Sequence, residues 1–177
     1  MGQRIFLTGL RASGKTVLGR ALALAVGGGW RDTDEEAESL LGMSIAACVA
    51  ARGWPAFRAC ESRVLEELCR EEPPGALVIS TGGGIVLDAA NRARMRAAGR
   101  VFFLDAPVDV LVRRLRGDPR HTQRPPLVPG LAPDPVAEMA ALRTQRLPWY
   151  REVAHQQLDA TLPVPELVRL IREDCGL

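Results

Sequence analysis

Lysine is almost missing from this chain: of its 23 basic residues, 22 are arginine and the single lysine is Lys15. Aromatic residues are scarce as well, at 5%, with Tyr150 the one tyrosine. The basic run Arg92, Arg94, Arg96, Arg100 has no interleaved rings, so it offers no stacking platform for a single strand and is expected to be a solvated helix face. A net charge of +2 is too small to argue for nucleic acid as a partner. No run of 18 apolar residues occurs, and the N-terminus enters a strand pattern at once, so no membrane span or signal peptide is visible. The four cysteines (48, 60, 69 and 175) form no C-x-x-C pair, and His121 and His155 show no metal spacing. Reduced thiols packed on helices in a cytoplasmic protein are expected.

What is present begins at the one lysine. Gly9-Leu10-Arg11-Ala12-Ser13-Gly14-Lys15-Thr16 is the G-x-x-x-x-G-K-[ST] phosphate-binding pattern. Backbone N–H groups of such a loop curl around a β-phosphate. A slim ammonium on a flexible stem reaches between β- and γ-oxygens where a planar guanidinium would collide. Thr16 would set its hydroxyl on Mg²⁺ at the start of a helix whose positive end faces the phosphates. The context agrees: Ile5-Phe6-Leu7 reads as a buried strand, and Val17, Leu18, Ala21, Leu22 and Ala25 repeat at helical spacing until Gly27-Gly28-Gly29. A nucleoside triphosphate is the expected ligand.

The 177 residues predict a single domain. Further strands are expected leading into Arg31-Asp32, at 76–80, at 100–104 and, weakly, at 156–159. Helices are expected at 34–51, 55–71, 88–98, 107–116, 134–153 and 164–173, with Asp88, Asp109 and Asp134 at or near helix starts. Strands alternating with helices predict a parallel sheet covered on both faces. Residues 117–133, rich in proline and arginine, break the pattern; an irregular connection of that length reads as a lid.

Asp32-Thr33-Asp34 closes the second strand, and alternating carboxylates of an extended segment suit one metal-bound water and one substrate contact; a helix cap is the alternative. Arg58 and Glu61 lie three apart on one helix face, so Glu61 could lock the guanidinium for a substrate carboxylate. A plain surface ion pair is the other reading. Thr81-Gly82-Gly83-Gly84 follows a buried strand and would let backbone N–H groups approach a ligand. Arg124, in the lid, could neutralise transferring phosphoryl oxygens. Asp105 ends an apolar strand like a Walker B acid and competes with Asp32 for the Mg²⁺ shell.

In order along the chain, Asp32-Thr33-Asp34, Gly42-Met43-Ser44-Ile45, Gly53-Trp54-Pro55-Ala56-Phe57-Arg58, Glu61, Thr81-Gly82-Gly83-Gly84, Gln123-Arg124-Pro125 and Arg146-x-Pro-x-Tyr150 closely resemble the shikimate kinase family, most of all its enterobacterial second isozyme. The resemblance implies a P-loop α/β fold of the nucleoside-monophosphate-kinase type, five parallel strands in the order 2-3-1-4-5. A substrate-binding segment would span about 32–62 and a lid about 116–133. It implies transfer of the ATP γ-phosphate to the 3-hydroxyl of shikimate, with Mg²⁺ on Thr16 and, through water, Asp32. Lys15, Asp34 and Arg124 would be catalytic. ATP contacts would fall on Gly9, Arg11, Ala12, Ser13, Gly14, Lys15, Thr16, Val17, Arg116, Arg124 and Pro163. Shikimate contacts would fall on Asp34, Arg58, Glu61, Gly82, Gly83, Gly84 and Arg146. A cytoplasmic monomer with no nucleic-acid or membrane partner is expected. Ala12 stands where family loops often carry glycine; an alanine there allows the N–H nest if its φ is negative, and altered nucleotide affinity at most is expected. A gluconate or nucleotide kinase, and an ATP-binding assembly module that transfers nothing, are the rivals.

Overall fold

Ile5-Phe6-Leu7, Leu77-Val78-Ile79 and Val101-Phe102-Phe103-Leu104 are unbroken apolar runs, the pattern of strands buried on both faces. In the computed structural model, which describes residues 2–117 and 134–177, these runs form the centre of a five-stranded sheet and are at most 5% exposed. The strands are β1 (Arg4–Thr8), β2 (Gly29–Asp32), β3 (Leu77–Ser80), β4 (Arg100–Asp105) and β5 (Gln156–Asp159). Every pairing is parallel and the order is β2-β3-β1-β4-β5. The chain leaves β1 toward one edge and later crosses to the other, so ligands are expected beyond the carboxyl ends of the strands around β1.

Among the described residues, seven helices connect and cover the sheet: α1 (Lys15–Ala25), α2 (Thr33–Leu41), α3 (Ile45–Arg70), α4 (Ala89–Ala98), α5 (Val108–Arg116), α6 (Pro135–Val153) and α7 (Val164–Cys175). Helix α1 packs on β1, β2 and β3 and against α7, whereas α4 packs on β4 and against α3 and α6. Asp88 and Asp134 cap α4 and α6 by accepting the N–H groups of Ala90 and Val136, and Asp109 sits in the first turn of α5. No single helix among the described residues is long and apolar enough to cross a membrane.

Two expectations are corrected. The helix expected over 34–51 is two helices. Gly42 ends α2 in the left-handed region at φ 65°, and Ser44 starts α3 by accepting the Ala47 N–H. The second break, at Gly53, is where the sequence placed it: φ 79° and ψ 168° interrupt α3 just before Trp54-Pro55, a conformation nearly confined to glycine. The basic run of α4 and β4 is also more than a solvated face, although Arg96 is exposed. Arg96 donates to the carbonyls of Glu152, Val153 and Ala154 at the end of α6, supplying a cation where the helix dipole is negative. Arg92 donates to Val86 O and Glu152 and lies over Trp149 at 5.8 Å, while Arg100 makes a two-point pair with Asp174. His155 serves the sheet, its Nδ1 accepting the Val101 N–H at 3.0 Å. Burial first, then Arg96 and Arg100, hold its pKa below the usual imidazole value. The four cysteines are free thiols.

Candidate active site

The carboxyl ends of β1, β2 and β3 open into one cleft of about 790 Å³. After β1 the chain forms the phosphate loop, in which Ser13 N–H closes on Leu10 O at 3.3 Å. Lys15 Nζ donates to Gly9 O at 2.9 Å and Leu10 O at 2.8 Å, so the ammonium already lies along the inside of the loop. Gly14 precedes α1 at φ 95°, and α1 thus turns its N-terminal end toward the cleft that Lys15, Thr16 and Val17 line, a ready site for anionic oxygens. Ala12 does not meet the condition of a negative φ. Its φ is +63°, so the nest holds an L-residue in the left-handed region at a cost of ~1–2 kcal/mol.

Asp32 does two jobs at once. As the last residue of β2 it caps α2, its Oδ1 accepting the Asp34 N–H at 3.0 Å. Its Oδ2 accepts from Thr16 Oγ1, also at 3.0 Å. The capping alternative and the metal reading are therefore compatible. The picture of two carboxylates on an extended segment is corrected, because Asp34 lies in the first turn of α2, although both line the cleft. A hydroxyl and a carboxylate oxygen side by side at the phosphate loop fit Mg²⁺, a hard cation usually held by one or two protein oxygens with water and phosphate completing the shell. Among the described residues no cluster of three or more His, Cys, Asp or Glu competes as a metal site. Asp105, the other candidate, is bound by Arg143 Nη2 at 2.8 Å and Gln157 Nε2 at 3.1 Å. It anchors α6 to the sheet edge and does not line the cleft.

The far side of the cleft comes from α3, the turn after β3, and α6. Arg58 Nη1 donates to Glu61 Oε2 at 2.6 Å, with the Glu61 side chain only 2% exposed. This is no surface pair. The guanidinium lies 5.0 Å from the Trp54 ring and 5.1 Å from that of Phe57, contacts of cation–π type. Burial pushes the Glu61 carboxyl above the ordinary value, opposed by Arg58 and Arg146, and its Oε1 has no hydrogen-bond partner among the described residues. Arg146, 4% exposed in α6, donates from Nη1 to Gly83 O at 2.9 Å and keeps a buried Nε without a partner. A buried cation with an unused donor, as Arg146 is, suits a carboxylate.

The glycine run turns out to serve space more than donation. A Cβ on Gly82 would stand 2.5 Å from Asp34 Oδ1 and 2.7 Å from Glu61 Oε1, and one on Gly84 would collide with the Arg58 guanidinium. The Gly82 N–H is engaged by Thr33 Oγ1 at 2.7 Å, which does not fit the reading of Gly82 as a free donor to a ligand.

Of the expected site residues, 11–17, Asp32, Asp34, Arg58, Glu61, Gly83, Gly84 and Arg146 all line the one cleft. Arg11 also lies 4.0 Å from Glu138 of α6. Arg116 does not reach it. Arg114 lines it instead, donating to Ala160 O at 2.8 Å, because two residues on a helix turn the side chain to nearly the opposite side. Pro163 caps α7, and its neighbours Leu162 and Val164 line the cleft. Arg124 and His121 lie outside the described residues. The sequence reading missed Trp54, Leu104 and Leu142 as cleft residues; the Gly-Trp-Pro break was the one signal that could have singled out Trp54.

The family model described as shikimate kinase matches residues 11–175. A shikimate kinase of Oleidesulfovibrio alaskensis is 48% identical over 161 residues, 91% of this chain and 90% of that protein. Shikimate kinase 2 of Sodalis glossinidius is 42% identical over 97% of this chain and 94% of its own. Among solved structures, a shikimate kinase from Acinetobacter baumannii in complex with shikimate is similar at a TM-score of 0.88 and 31% identity, covering 99% of this chain and 94% of that one.

Proposed function

This chain belongs to the shikimate kinase family, and on that premise we propose how its cleft passes phosphate from ATP to a shikimate hydroxyl. Phosphoryl transfer asks mainly for positioning and charge neutralisation, since little covalent work falls to the protein. The triphosphate lies in the loop 9–16, with Lys15 between β- and γ-oxygens and Arg124 adding a second cation. Thr16 and Asp32 would hold Mg²⁺, which when bound neutralises charge on the phosphate oxygens. The adenine end falls between Arg114 and the Leu162–Val164 turn. Arg58, held by Glu61, and Arg146, held on Gly83, clamp the shikimate carboxylate. Asp34 takes the hydrogen bond of the attacking hydroxyl and accepts its proton late, which a weak base can do. The proposed working unit is a monomer, acting in the cytoplasm.

The observation that carries the reading is the pairing, in one cleft, of a phosphate loop with two arginines, Arg58 and the buried Arg146, the latter with an Nε that has no partner among the described residues. A substrate without the carboxylate would leave those cations unmatched, a loss of ~1–3 kcal/mol for each unpaired group. The test is ADP release from Mg-ATP with and without shikimate. Release that depends on shikimate is expected. Hydrolysis indifferent to shikimate would favour an assembly module, and release with gluconate instead would favour the rival kinase.

A further inference from the structure

The glycines that make room for Asp34, Glu61 and Arg58 create a difficulty of their own. Gly82-Gly83-Gly84 is the most permissive backbone a chain can have, yet its middle residue must hold still, because Arg146 is oriented on its carbonyl. Two side chains meet there. Gly83 O accepts from Arg146 Nη1 at 2.9 Å and from the Tyr150 hydroxyl at 2.5 Å, which uses both lone pairs and fixes the peptide plane. Residues 146 and 150 are one helical turn apart on α6, so both project from the same face. The Tyr150 ring is 1% exposed and stacks on Phe103 of β4 at 4.8 Å with an interplanar angle of 10°. The hydroxyl is thereby located from the sheet as well as from the helix. On its other side Gly83 abuts the phosphate loop: a Cβ there would stand 3.2 Å from Gly9 O and 3.6 Å from Arg11 N.

We propose that Tyr150 is a positioning residue for the substrate clamp, its hydroxyl fixing the Gly83 carbonyl so that Arg146 presents its remaining donors to the substrate carboxylate. Packing alone does not ask for a hydroxyl here, since phenylalanine would stack on Phe103 equally well, and a buried hydroxyl is costly unless bonded. The donor is permanent. Burial pushes the phenol pKa up to about 12, so it keeps its proton throughout the range in which the enzyme works. Without it, Arg146 would share its donors between holding a loose turn and binding substrate.

The proposal rests on the reading of Arg146 as a carboxylate ligand, and the test separates the two. Kinetics are measured for wild type, Tyr150→Phe, Arg146→Ala and the double variant, varying shikimate and ATP in turn. Tyr150→Phe is expected to raise the shikimate KM roughly fivefold to tenfold while the ATP KM stays within about twofold. In the Arg146→Ala background the second substitution should add nothing, the signature of a shared pathway. An Arg146→Ala variant with unchanged shikimate KM would remove the clamp reading and this proposal with it. A normal clamp defect in Arg146→Ala beside an unchanged KM in Tyr150→Phe, equal rises for both substrates, or a full additional loss in the double variant would overturn the proposal alone. Should Tyr150→Phe fail to fold, the natural sequence still serves. With one tyrosine in the chain, growth on 3-fluorotyrosine gives a single ¹⁹F resonance, expected to move when shikimate is added; a resonance unmoved at saturation would sink the idea.

Discussion

At the scale of single residues the site shows two places where backbone or charge is held against preference. Ala12 sits at φ +63°, the penalty for which is ~1–2 kcal/mol. Glycine would remove it, at the expense of ~0.4–1 kcal/mol of added freedom in the unfolded chain. Urea unfolding of Ala12→Gly should therefore show unchanged stability or a gain of up to ~1.6 kcal/mol, whereas Ala12→Val, β-branched in the same region, should lose ~1–3 kcal/mol; a stable valine variant would mean the loop does not need the left-handed turn. The second place is the Arg58–Glu61 pair. With the carboxylate 2% exposed and its partner at 2.6 Å, Arg58→Ala strands a buried charge and is expected to cost ~3 kcal/mol. Adding Glu61→Gln should return most of that loss in stability without returning shikimate binding, since the proposed clamp stays broken. Additive losses in the double variant would show that the pair is not the source of the cost.

At the scale of elements, the hinge inside α3 decides where Arg58 stands. Gly53 combines φ 79° with ψ 168°, and Pro55 follows as a residue that starts a helix more readily than it continues one. Gly53→Ala should lose ~1–3 kcal/mol of stability and raise the shikimate KM with little change for ATP, because the phosphate loop belongs to β1 and α1. Equal damage to both substrates would deny α3 a separate role. The same segment shows why some elements were legible and others not. The strands β1, β3 and β4 declare themselves as unbroken apolar runs, and the break at Gly53 was marked by Gly-Trp-Pro. The break at Gly42 was hidden because residues compatible with a helix continue on both sides of Gly42-Met43-Ser44. The phosphate loop was readable because its chemistry is local in sequence. Arg96 capping α6, 56–58 residues away, and Arg143 holding Asp105, 38 away, depend on how helices dock. Choosing Arg114 over Arg116 needed the position of Ala160, which no spacing within α5 supplies.

At the scale of the whole molecule, one sheet edge carries the two proposed half-sites, which meet at the Asp34–Asp32 hydrogen bond and where Gly83 abuts the phosphate loop. Thr16 and Asp32, 3.0 Å apart, join β2 to the phosphate loop on the nucleotide side. Arg58, Glu61, Gly83 and Arg146 come from α3, the turn after β3 and α6, and none of them touches the Thr16–Asp32 pair in the contacts described. Each ligand should therefore stabilise the fold by its own route. Any ligand that binds only the folded chain adds ~2.7 kcal/mol at a hundred times its Kd, which for a domain of this size raises Tm by roughly 5–10 °C. Thermal melts with Mg-ADP and with shikimate should each show such a shift. Chelating the metal with EDTA should remove most of the nucleotide shift, because Thr16 and Asp32 then face the phosphates without the ion between them and Asp32 meets them as a like charge. The shikimate shift should survive unchanged, since its cations are supplied by the protein. Loss of both shifts on chelation would place the metal among the shikimate ligands and dissolve the division into half-sites. Loss of neither would remove Thr16 and Asp32 from the metal and leave their 3.0 Å contact as a structural bond between β2 and α1.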